Sequence, residues 1–318
     1  MTGAAGYIGS HTARTLLDEG NEVVALDLAP APEGGVLDAA TFVRGDIADG
    51  PLVERLLREH SVEGVIHFAA HKSVAESMRV PERYFRNNVA GSLSILEAMV
   101  RAGTPHIVFS SSCAVYGAPD RCPVDETAPR RPESPYGASK VIVEDMLRWF
   151  NHRDSIRHVS LRYFNAAGAS LDARLGEDGR RSTMLIPALM RAAAGRREPV
   201  DIYGTDYPTP DGTAIRDYIH VLDLADAHLR ALRHLADGGG STSLNVGTGT
   251  GHSVKEVIAM VAAVTGRVVP VRYVGRRDGD PGAVWADAGR AYEMLGWRAR
   301  HDLTDIGRTA WEWHSRQP

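Results

Sequence analysis

Gly3-Ala-Ala-Gly6-Tyr-Ile-Gly9 decides the fold of this chain, and it leads directly into a helical pattern over residues 10–19. Glycines at this spacing, where a helix begins, allow the backbone to approach a pyrophosphate lying on the helix N-terminus. A glycine triplet alone is explained equally well by an ordinary tight turn. Asp27 ends the next predicted strand about 20 residues further on, which favours the nucleotide-binding interpretation.

The carboxylate of Asp27 indicates which nucleotide such a site prefers. An acid at this position hydrogen-bonds the adenosine ribose hydroxyls and repels a 2′-phosphate, so the sequence predicts NAD rather than NADP. The alternative is that Asp27 is an acid of a surface loop.

Short β-rich runs alternate with amphipathic stretches in the first half of the chain, as in a parallel sheet covered by helices on both faces. The pattern predicts an α/β fold, a Rossmann-type doubly wound parallel sheet. Predicted strands are residues 22–27, 41–44, 64–68, 106–110, 158–162 and 244–247. Predicted helices are residues 10–19, 52–59, 88–102, 139–150, 186–194 and 254–265.

Composition excludes several classes of protein. Hydrophobic residues make up 43% and charged residues 24% of 318 residues, which excludes disordered, collagen-like and coiled-coil chains. A net charge of -4 offers no broad basic surface, so we expect no nucleic acid partner. No apolar stretch approaches the roughly 20 residues that a bilayer requires, so we expect no membrane role. Two cysteines and the lack of a charged-then-apolar leader before the first motif predict a cytoplasmic protein.

Tyr136 and Lys140 lie four residues apart in Tyr136-Gly-Ala-Ser-Lys140, on one face of a predicted helix. A free tyrosine titrates near pH 10, so a pKa near neutrality needs roughly 4 kcal/mol of phenolate stabilisation. The lysine and a nicotinamide cation would supply it, and the phenol would then serve as a base. Such a pair is more commonly a feature of the surface. Here, however, Phe109-Ser-Ser-Ser112 ends a strand and places hydroxyls at the sheet edge where ligands bind.

Eight separated runs carry a resemblance that spans nearly the whole chain. They are residues 2–12, 45–47, 65–70, 87–89, 110–117, 134–140, 161–165 and 211–221. In these runs the chain resembles the extended short-chain dehydrogenase/reductase superfamily and, more finely, its UDP-glucose 4-epimerase family. The resemblance implies a reversible inversion of UDP-glucose and UDP-galactose at C4 through a 4-keto sugar.

The same resemblance assigns residues to roles. Tyr136 would take the sugar hydroxyl proton, Ser112 would hydrogen-bond that oxygen, and Lys140 would hold the nicotinamide ribose and lower the pKa of Tyr136. With the glycines Gly3, Gly6 and Gly9, the contacts to a tightly held NAD would be Tyr7, Ile8, Asp27, Asp46, Ile47, Phe68, Ala69, Ala70, Lys72, Asn88, Ser112, Tyr136, Lys140 and Phe164. The UDP-hexose contacts would be Asn165, Leu185, Tyr203, Arg216, Arg277, Asp280 and Val284.

We expect residues 1–165 to form the NAD-binding domain and residues 166–318 mainly a smaller, C-terminal UDP-sugar-binding lobe. Segments near 217–247 are expected to return to the first domain. Members of the family are commonly homodimers that pair the helices predicted here at 88–102 and 139–150, so the resemblance implies a homodimer.

Three features depart from the family pattern. The glycine loop should follow a central strand, so we expect about five to ten further residues before Met1, which would end that strand. Met184 stands where the family usually has an asparagine that contacts substrate. Val284 falls where relatives differ between a tyrosine and a small residue beside the sugar 2-substituent, which predicts that an N-acetyl group is tolerated.

Other functions are weaker alternatives. A dehydratase or decarboxylase of nucleotide sugars would use the same Tyr136 and Lys140, but these relatives carry an acid directly after the active-site hydroxyl, where this chain has Cys113. An NAD-sensing regulator without catalysis would not need the intact Ser112, Tyr136 and Lys140. His67 and His71 lack a third ligand at metal-binding spacing, so we expect no metal.

Overall fold

The computed structural model describes residues 1–31, 35–180, 182–196, 198–277 and 280–317. It contains a parallel sheet flanked by helices and a second, smaller lobe, which confirms the predicted α/β, doubly wound fold. The strands are β1 (Val24–Asp27), β2 (Thr41–Arg44), β3 (Gly64–His67), β4 (His106–Ser110), β5 (Arg157–Tyr163), β6 (Asn165–Ala167), β7 (Val200–Tyr203), β8 (Ile215–His220), β9 (Thr242–Val246), β10 (Gly251–Ser253), β11 (Val271–Val274) and β12 (Ala283–Val284).

Helices occupy most of the intervals between strands. They are α1 (Tyr7–Asp18), α2 (Gly50–Glu59), α3 (Val74–Ser77), α4 (Pro81–Tyr84), α5 (Gly91–Ala102), α6 (Pro135–Asp154), α7 (Leu185–Ala193), α8 (Val221–Ala236), α9 (Val254–Thr265), α10 (Gly289–Leu295) and α11 (Leu303–Arg316). Short 3₁₀ turns lie at Val36–Ala39 and Cys113–Val115, and a π-helical segment, Phe85–Ala90, joins α4 to α5.

The large sheet is parallel throughout its described pairings. Strands β3, β4, β5 and β9 are hydrogen-bonded in that order, and β1 pairs with β2. Between β1 and β3 lies Thr2, which bridges Leu26 on one side and His67 on the other. Thr2, rather than Met1, therefore holds the sheet position at which we expected the strand before the glycine loop to end.

Side chains of the sheet alternate between two apolar layers. Ile66 and Val108 pack with residues of α1 and α8 on one face, whereas Ile107 and Phe109 pack with residues of α2, α5 and α6 on the other. Burial on both faces explains why β4 reads as a continuous apolar run.

The second lobe has its own small sheets and apolar core. Strand β8 pairs with β6, β10 and β12, and β7 pairs with β11. Helices α7, α9 and α11 cover a core that includes Leu189, Val257 and Ile306. After β8 the chain crosses back, since α8 packs on α1 and β9 pairs with β5.

Predicted and observed elements agree closely where one residue pattern persists. The strands predicted at 41–44 and 106–110 and the helix predicted at 254–265 have the observed bounds, and helix 139–150 is longer, at Pro135–Asp154. Strands β6, β7, β8, β10, β11 and β12 and helices α3, α4, α8, α10 and α11 were not predicted. All of these strands except β8 have two to four residues, too few for an alternating pattern to appear in the sequence.

Candidate functional site

The glycine loop forms a turn that tolerates little side-chain volume. Gly3 has a φ of +69°, and a Cβ added there would lie 2.6 Å from the backbone nitrogen of Ala69. A Cβ on Gly9 would lie 2.1 Å from the carbonyl oxygen of Gly3. Gly6 is exposed at the N-cap of α1, which has no side-chain cap. The loop therefore presents bare backbone at a helix N-terminus, which suits a phosphate.

Asp27 ends β1 beside this loop, and its carboxylate is held by backbone donors. The amides of Ala5 and Ala29 each donate to it at 2.9 Å. These bonds fix the carboxylate at the edge of the sheet, where it can accept hydrogen bonds from ribose hydroxyls.

A first cavity of about 420 Å³ opens above the glycine loop and Asp27. Thirteen of the predicted cofactor contacts line it: Gly3, Gly6, Tyr7, Ile8, Gly9, Asp27, Ile47, Phe68, Ala69, Ala70, Lys72, Tyr136 and Lys140. The exposed backbone of the glycine loop, the fixed carboxylate of Asp27 and the cavity above them together fit a dinucleotide.

Asp46, Asn88, Ser112 and Phe164, also predicted as cofactor contacts, are not among the residues that line this cavity. Asp46 is exposed and accepts from the amide of Ala48. Asn88 is buried and bonds both backbone groups of His71, so it positions the loop after β3. Phe164 packs in an apolar cluster.

Helix α6 brings Tyr136 and Lys140 together at the cavity. Ser134 caps the helix by accepting from the amide of Gly137 at 3.1 Å, which sets where its first turn begins. Tyr136 is 8% exposed and Lys140 is 3% exposed, so both lie on the buried face. Ser112 lies beside the Tyr136 phenol, close enough to act on its pKa. The predicted catalytic residues thus form one cluster.

Lys140 donates to the carbonyl oxygen of Ser110 at 2.8 Å, and its Nζ lies 5.8 Å from the centre of the Tyr136 ring. Burial raises the pKa of Tyr136 to about 12, although Ser112 lowers it. Burial lowers the pKa of Lys140 to about 7. The expected lowering of the phenol pKa is therefore not produced by the protein's own groups, because desolvation outweighs the effect of Ser112.

A second cavity of about 430 Å³ lies in the smaller lobe. Six of the predicted substrate contacts line it: Asn165, Leu185, Tyr203, Arg216, Arg277 and Asp280. Its arginines are paired within the protein, since Arg216 donates to the carboxylate of Asp280 and the guanidinium of Arg277 lies 4.1 Å from the centre of the Tyr203 ring. Two cations in one cleft suit a phosphate-bearing ligand.

Met184 and Val284, which depart from the family pattern, lie in different surroundings. Met184 lines the second cavity as the N-cap of α7, where it makes no side-chain cap. Val284 does not line it; its side chain is buried in a cluster with Val115, Tyr116 and Phe164.

Sequence reasoning missed three residues near the first cavity. Asn87 and Tyr163 line it, and Glu177 forms an ion pair with Lys72 at 3.0 Å. Tyr163 lies inside the run 161–165, so a signal existed for it. Glu177 belongs to an irregular segment without a recognisable pattern.

Other candidate chemistry finds little support. Within the described ranges, no group of three His, Cys, Asp or Glu side chains is placed to hold a metal ion. Burial raises the pKa of Cys113 to about 11, so its thiol stays protonated near neutrality. None of the helices in the described part of the chain combines the length and apolar character needed to cross a membrane.

Comparison with known proteins agrees with this geometry. The model of the NAD dependent epimerase/dehydratase family matches residues 1–247. A UDP-glucose 4-epimerase of Streptococcus mutans is 46% identical over 322 residues, covering 100% of this chain and 97% of that protein.

Two crystal structures extend the similarity to the whole fold. UDP-glucose 4-epimerase from Brucella ovis, in complex with NAD, has a TM-score of 0.95 at 45% identity, over 99% of this chain and 97% of that one. The enzyme from Bifidobacterium longum, in complex with NAD⁺ and UDP, has a TM-score of 0.95 at 38% identity, over 100% and 98% of the two chains.

Proposed function

The chain belongs to the NAD dependent epimerase/dehydratase family, and from that membership we propose that it is a UDP-glucose 4-epimerase. It interconverts UDP-glucose and UDP-galactose by inverting C4 of the hexose, with NAD as a retained cofactor. Relatives of this name match the chain from end to end, and one was crystallised with NAD⁺ and UDP.

The observation that carries the proposal is that Tyr136 and Lys140 line the first cavity while the chain passes from that cavity to the second within two residues. Tyr136, Lys140 and Tyr163 line the dinucleotide-shaped cavity, and Asn165, two residues after Tyr163, lines the arginine-bearing cavity. A sugar attached to a diphosphate in the second cavity can therefore reach the phenol and the cofactor in the first.

Each side chain of the site has a separate role in the reaction. Tyr136 Oη takes the proton of the sugar 4-hydroxyl, and Ser112, which lies beside the phenol, also bonds that oxygen. Lys140, held by Ser110, places an ammonium beside the phenolate form of Tyr136 that accepts this proton. NAD bound in the first cavity would supply the acceptor, and later the donor, of the hydride at the sugar carbon.

In the second cavity we assign the diphosphate to Arg216 and Arg277. Phosphate oxygens bind guanidinium groups more strongly than neutral hydroxyls do, so the nucleotide is held while the hexose stays free to turn. Asn165, Leu185, Tyr203 and Asp280 complete the contacts. Residues 1–165, with α8 and β9, form the NAD-binding domain in this assignment, and most of the remainder binds UDP-sugar.

The proposal includes a homodimer formed through α5 and α6. Leu93 and Val100 on α5 and Ile142 and Trp149 on α6 expose large apolar side chains, with Trp149 65% exposed. A second copy of the chain would cover them in a four-helix contact. A cytoplasmic location and a role in galactose metabolism are consistent with the proposed reaction.

A dehydratase or decarboxylase remains the alternative within the family. It requires an acid or base beside Ser112, where this chain has the neutral thiol of Cys113. The site therefore favours epimerisation.

The deciding experiment incubates the purified protein with UDP-galactose and no added NAD, and identifies the product. We expect UDP-glucose, whereas a 4-keto-6-deoxy sugar would establish the dehydratase. Tyr136→Phe should lower kcat by about 10²- to 10⁴-fold while NAD stays bound. A variant with normal turnover would overturn the assignment of the base.

Acceptance of N-acetylated sugars is tested with UDP-N-acetylglucosamine. We expect turnover, because this chain has the smaller Val284 where some relatives have a tyrosine. Absence of turnover by the unaltered protein would remove this part of the proposal.

A further inference from the structure

Glu144 lies one helical turn beyond Lys140 on α6, and Tyr136, Lys140 and Glu144 form one row at intervals of four residues. All three are buried, and Glu144 is only 5% exposed. A buried carboxylate is costly unless it is paired and hydrogen-bonded, so its partners indicate what it does.

The partners of Glu144 connect three elements of the site. Arg162 on β5 donates from Nε to Oε1 at 2.9 Å and from Nη2 to Oε2 at 2.7 Å, a bidentate pair. Ser111, which follows β4 directly, donates to Oε1 at 2.6 Å. Arg130 lies 3.4 Å from Oε2. The carboxylate thus joins α6 to the ends of β4 and β5.

These strand ends carry the groups that touch Tyr136 and Lys140. Ser110 accepts from Lys140, and Ser112 lies beside Tyr136, so Ser111 stands between the two contacts. Arg162 precedes Tyr163, which lines the first cavity, and its Nη1 donates to the phenol of Tyr116 at 3.0 Å. A displacement of Glu144 would therefore also displace Ser110, Ser112 and Tyr163, which contact or line the site.

We propose that Glu144 is a positioning residue of this site: its carboxylate fixes the ends of β4 and β5 against α6, and its negative charge favours the ammonium form of Lys140. The inference rests on the proposed function, since it concerns the same Tyr136 and Lys140.

Other groups around Lys140 bring little charge near neutral pH. Burial lowers the pKa of His67 on β3 to about 3 and that of His228 on α8 to about 4. Burial raises the pKa of Cys113 and of Tyr163, on β5. Glu144 acts against the effect of burial on Lys140, because its negative charge raises the lysine pKa.

The test is the pH profile of kcat for UDP-galactose. A negative charge favours the protonated forms of both Lys140 and Tyr136, which titrate as a pair. Its removal in Glu144→Gln should therefore move the whole profile to lower pH by about one unit and lower the maximal kcat about tenfold. KM should change little, because the second cavity is untouched.

Further variants separate charge from folding. Glu144→Gln leaves Arg162 buried without its partner, so the double variant E144Q/R162M, which removes both charges, guards against a folding defect. Because a negative and a positive charge are lost together, its profile should shift less than that of Glu144→Gln, whereas its maximal kcat should stay about tenfold lower because the contact between α6 and the ends of β4 and β5 is still missing. Glu144→Asp keeps the charge and should keep the wild-type profile. Glu54→Gln is the matched control, because Glu54 bonds Arg58 and Arg101 on the outer surface of α2 and α5.

A folded Glu144→Gln protein with bound NAD and an unshifted profile would overturn the inference, as would an unaltered maximal kcat in folded E144Q/R162M or a shift of the same size in Glu54→Gln. Wild-type protein that does not convert UDP-galactose would instead refute the proposed function. The two failures are therefore distinguishable.

Discussion

The two cavities are built in different ways. The first is made of backbone: Gly3 and Gly9 admit no Cβ, and Asp27 is held by two amides. The second depends on long side chains that pair with one another, Arg216 with Asp280 and Arg277 with Tyr203. A backbone cradle is rigid and is specified by a short motif, whereas a cavity of paired side chains can exchange its partners for those of a ligand. The first cavity suits a cofactor that stays bound between turnovers, and the second suits substrates that bind and are released.

The largest effect is expected from Gly9→Ala. The new Cβ would lie 2.1 Å from the carbonyl oxygen of Gly3, so the turn must open. Overpacking of this kind costs about 2 kcal/mol, and the opened turn no longer presents its amides to a phosphate. We expect the purified variant to lose most of its bound NAD, measured by cofactor release on denaturation, and to unfold at lower temperature.

Gly240→Ala is the matched control, since a Cβ there meets no atom within 4 Å. It should keep its NAD and its melting temperature. If Gly9→Ala behaves like this control, the cradle is not rigid and the contrast between the cavities fails.

A smaller effect is expected from Arg277→Gln in the second cavity. Loss of a charged hydrogen bond to a phosphate costs about 1.5 to 3 kcal/mol, so KM for UDP-galactose should rise about 10- to 100-fold. The NAD content should not change, because Arg277 does not line the first cavity. Steady-state kinetics and cofactor content measure both.

Arg308→Gln offers a comparison from α11 of the same lobe. Arg308 is exposed and pairs with Asp305 and Glu312, and none of the three lines the second cavity, so its loss should leave KM unchanged. Equal increases of KM in both variants would indicate a general electrostatic effect rather than a contact of Arg277.

The smallest effect is expected from Glu177→Gln, which breaks the ion pair across the rim of the first cavity. Lys72 is 64% exposed, and pairs with an exposed partner contribute up to about 1 kcal/mol. The backbone oxygen of Glu177 still accepts from Trp313 at 3.0 Å, so its segment stays in place. NAD release should therefore accelerate about threefold, measured against a scavenging enzyme, while Glu312→Gln on α11 leaves the rate unchanged. An unaltered rate would show that the backbone alone retains the cofactor.

The sequence predicted some residues of the first cavity more easily than others. The residues of the glycine loop and Asp27 lie within one β-α unit, so their spacing alone placed them together. Asn88 and Phe164 are assigned to the cofactor by resemblance, and these contacts stay predictions: Asn88 bonds His71, and Phe164 packs in an apolar cluster. Their sequence neighbours Asn87 and Tyr163 line the cavity, because successive residues point in different directions.

Local periodicity and short motifs were enough to predict the doubly wound fold, the glycine loop and the shared helix face of Tyr136 and Lys140. The pKa shifts of that pair and the contacts of Glu144 depend instead on how distant segments pack together. Burial and the approach of β4 and β5 set the electrostatic environment of α6, and the sequence does not encode those distances in any local pattern.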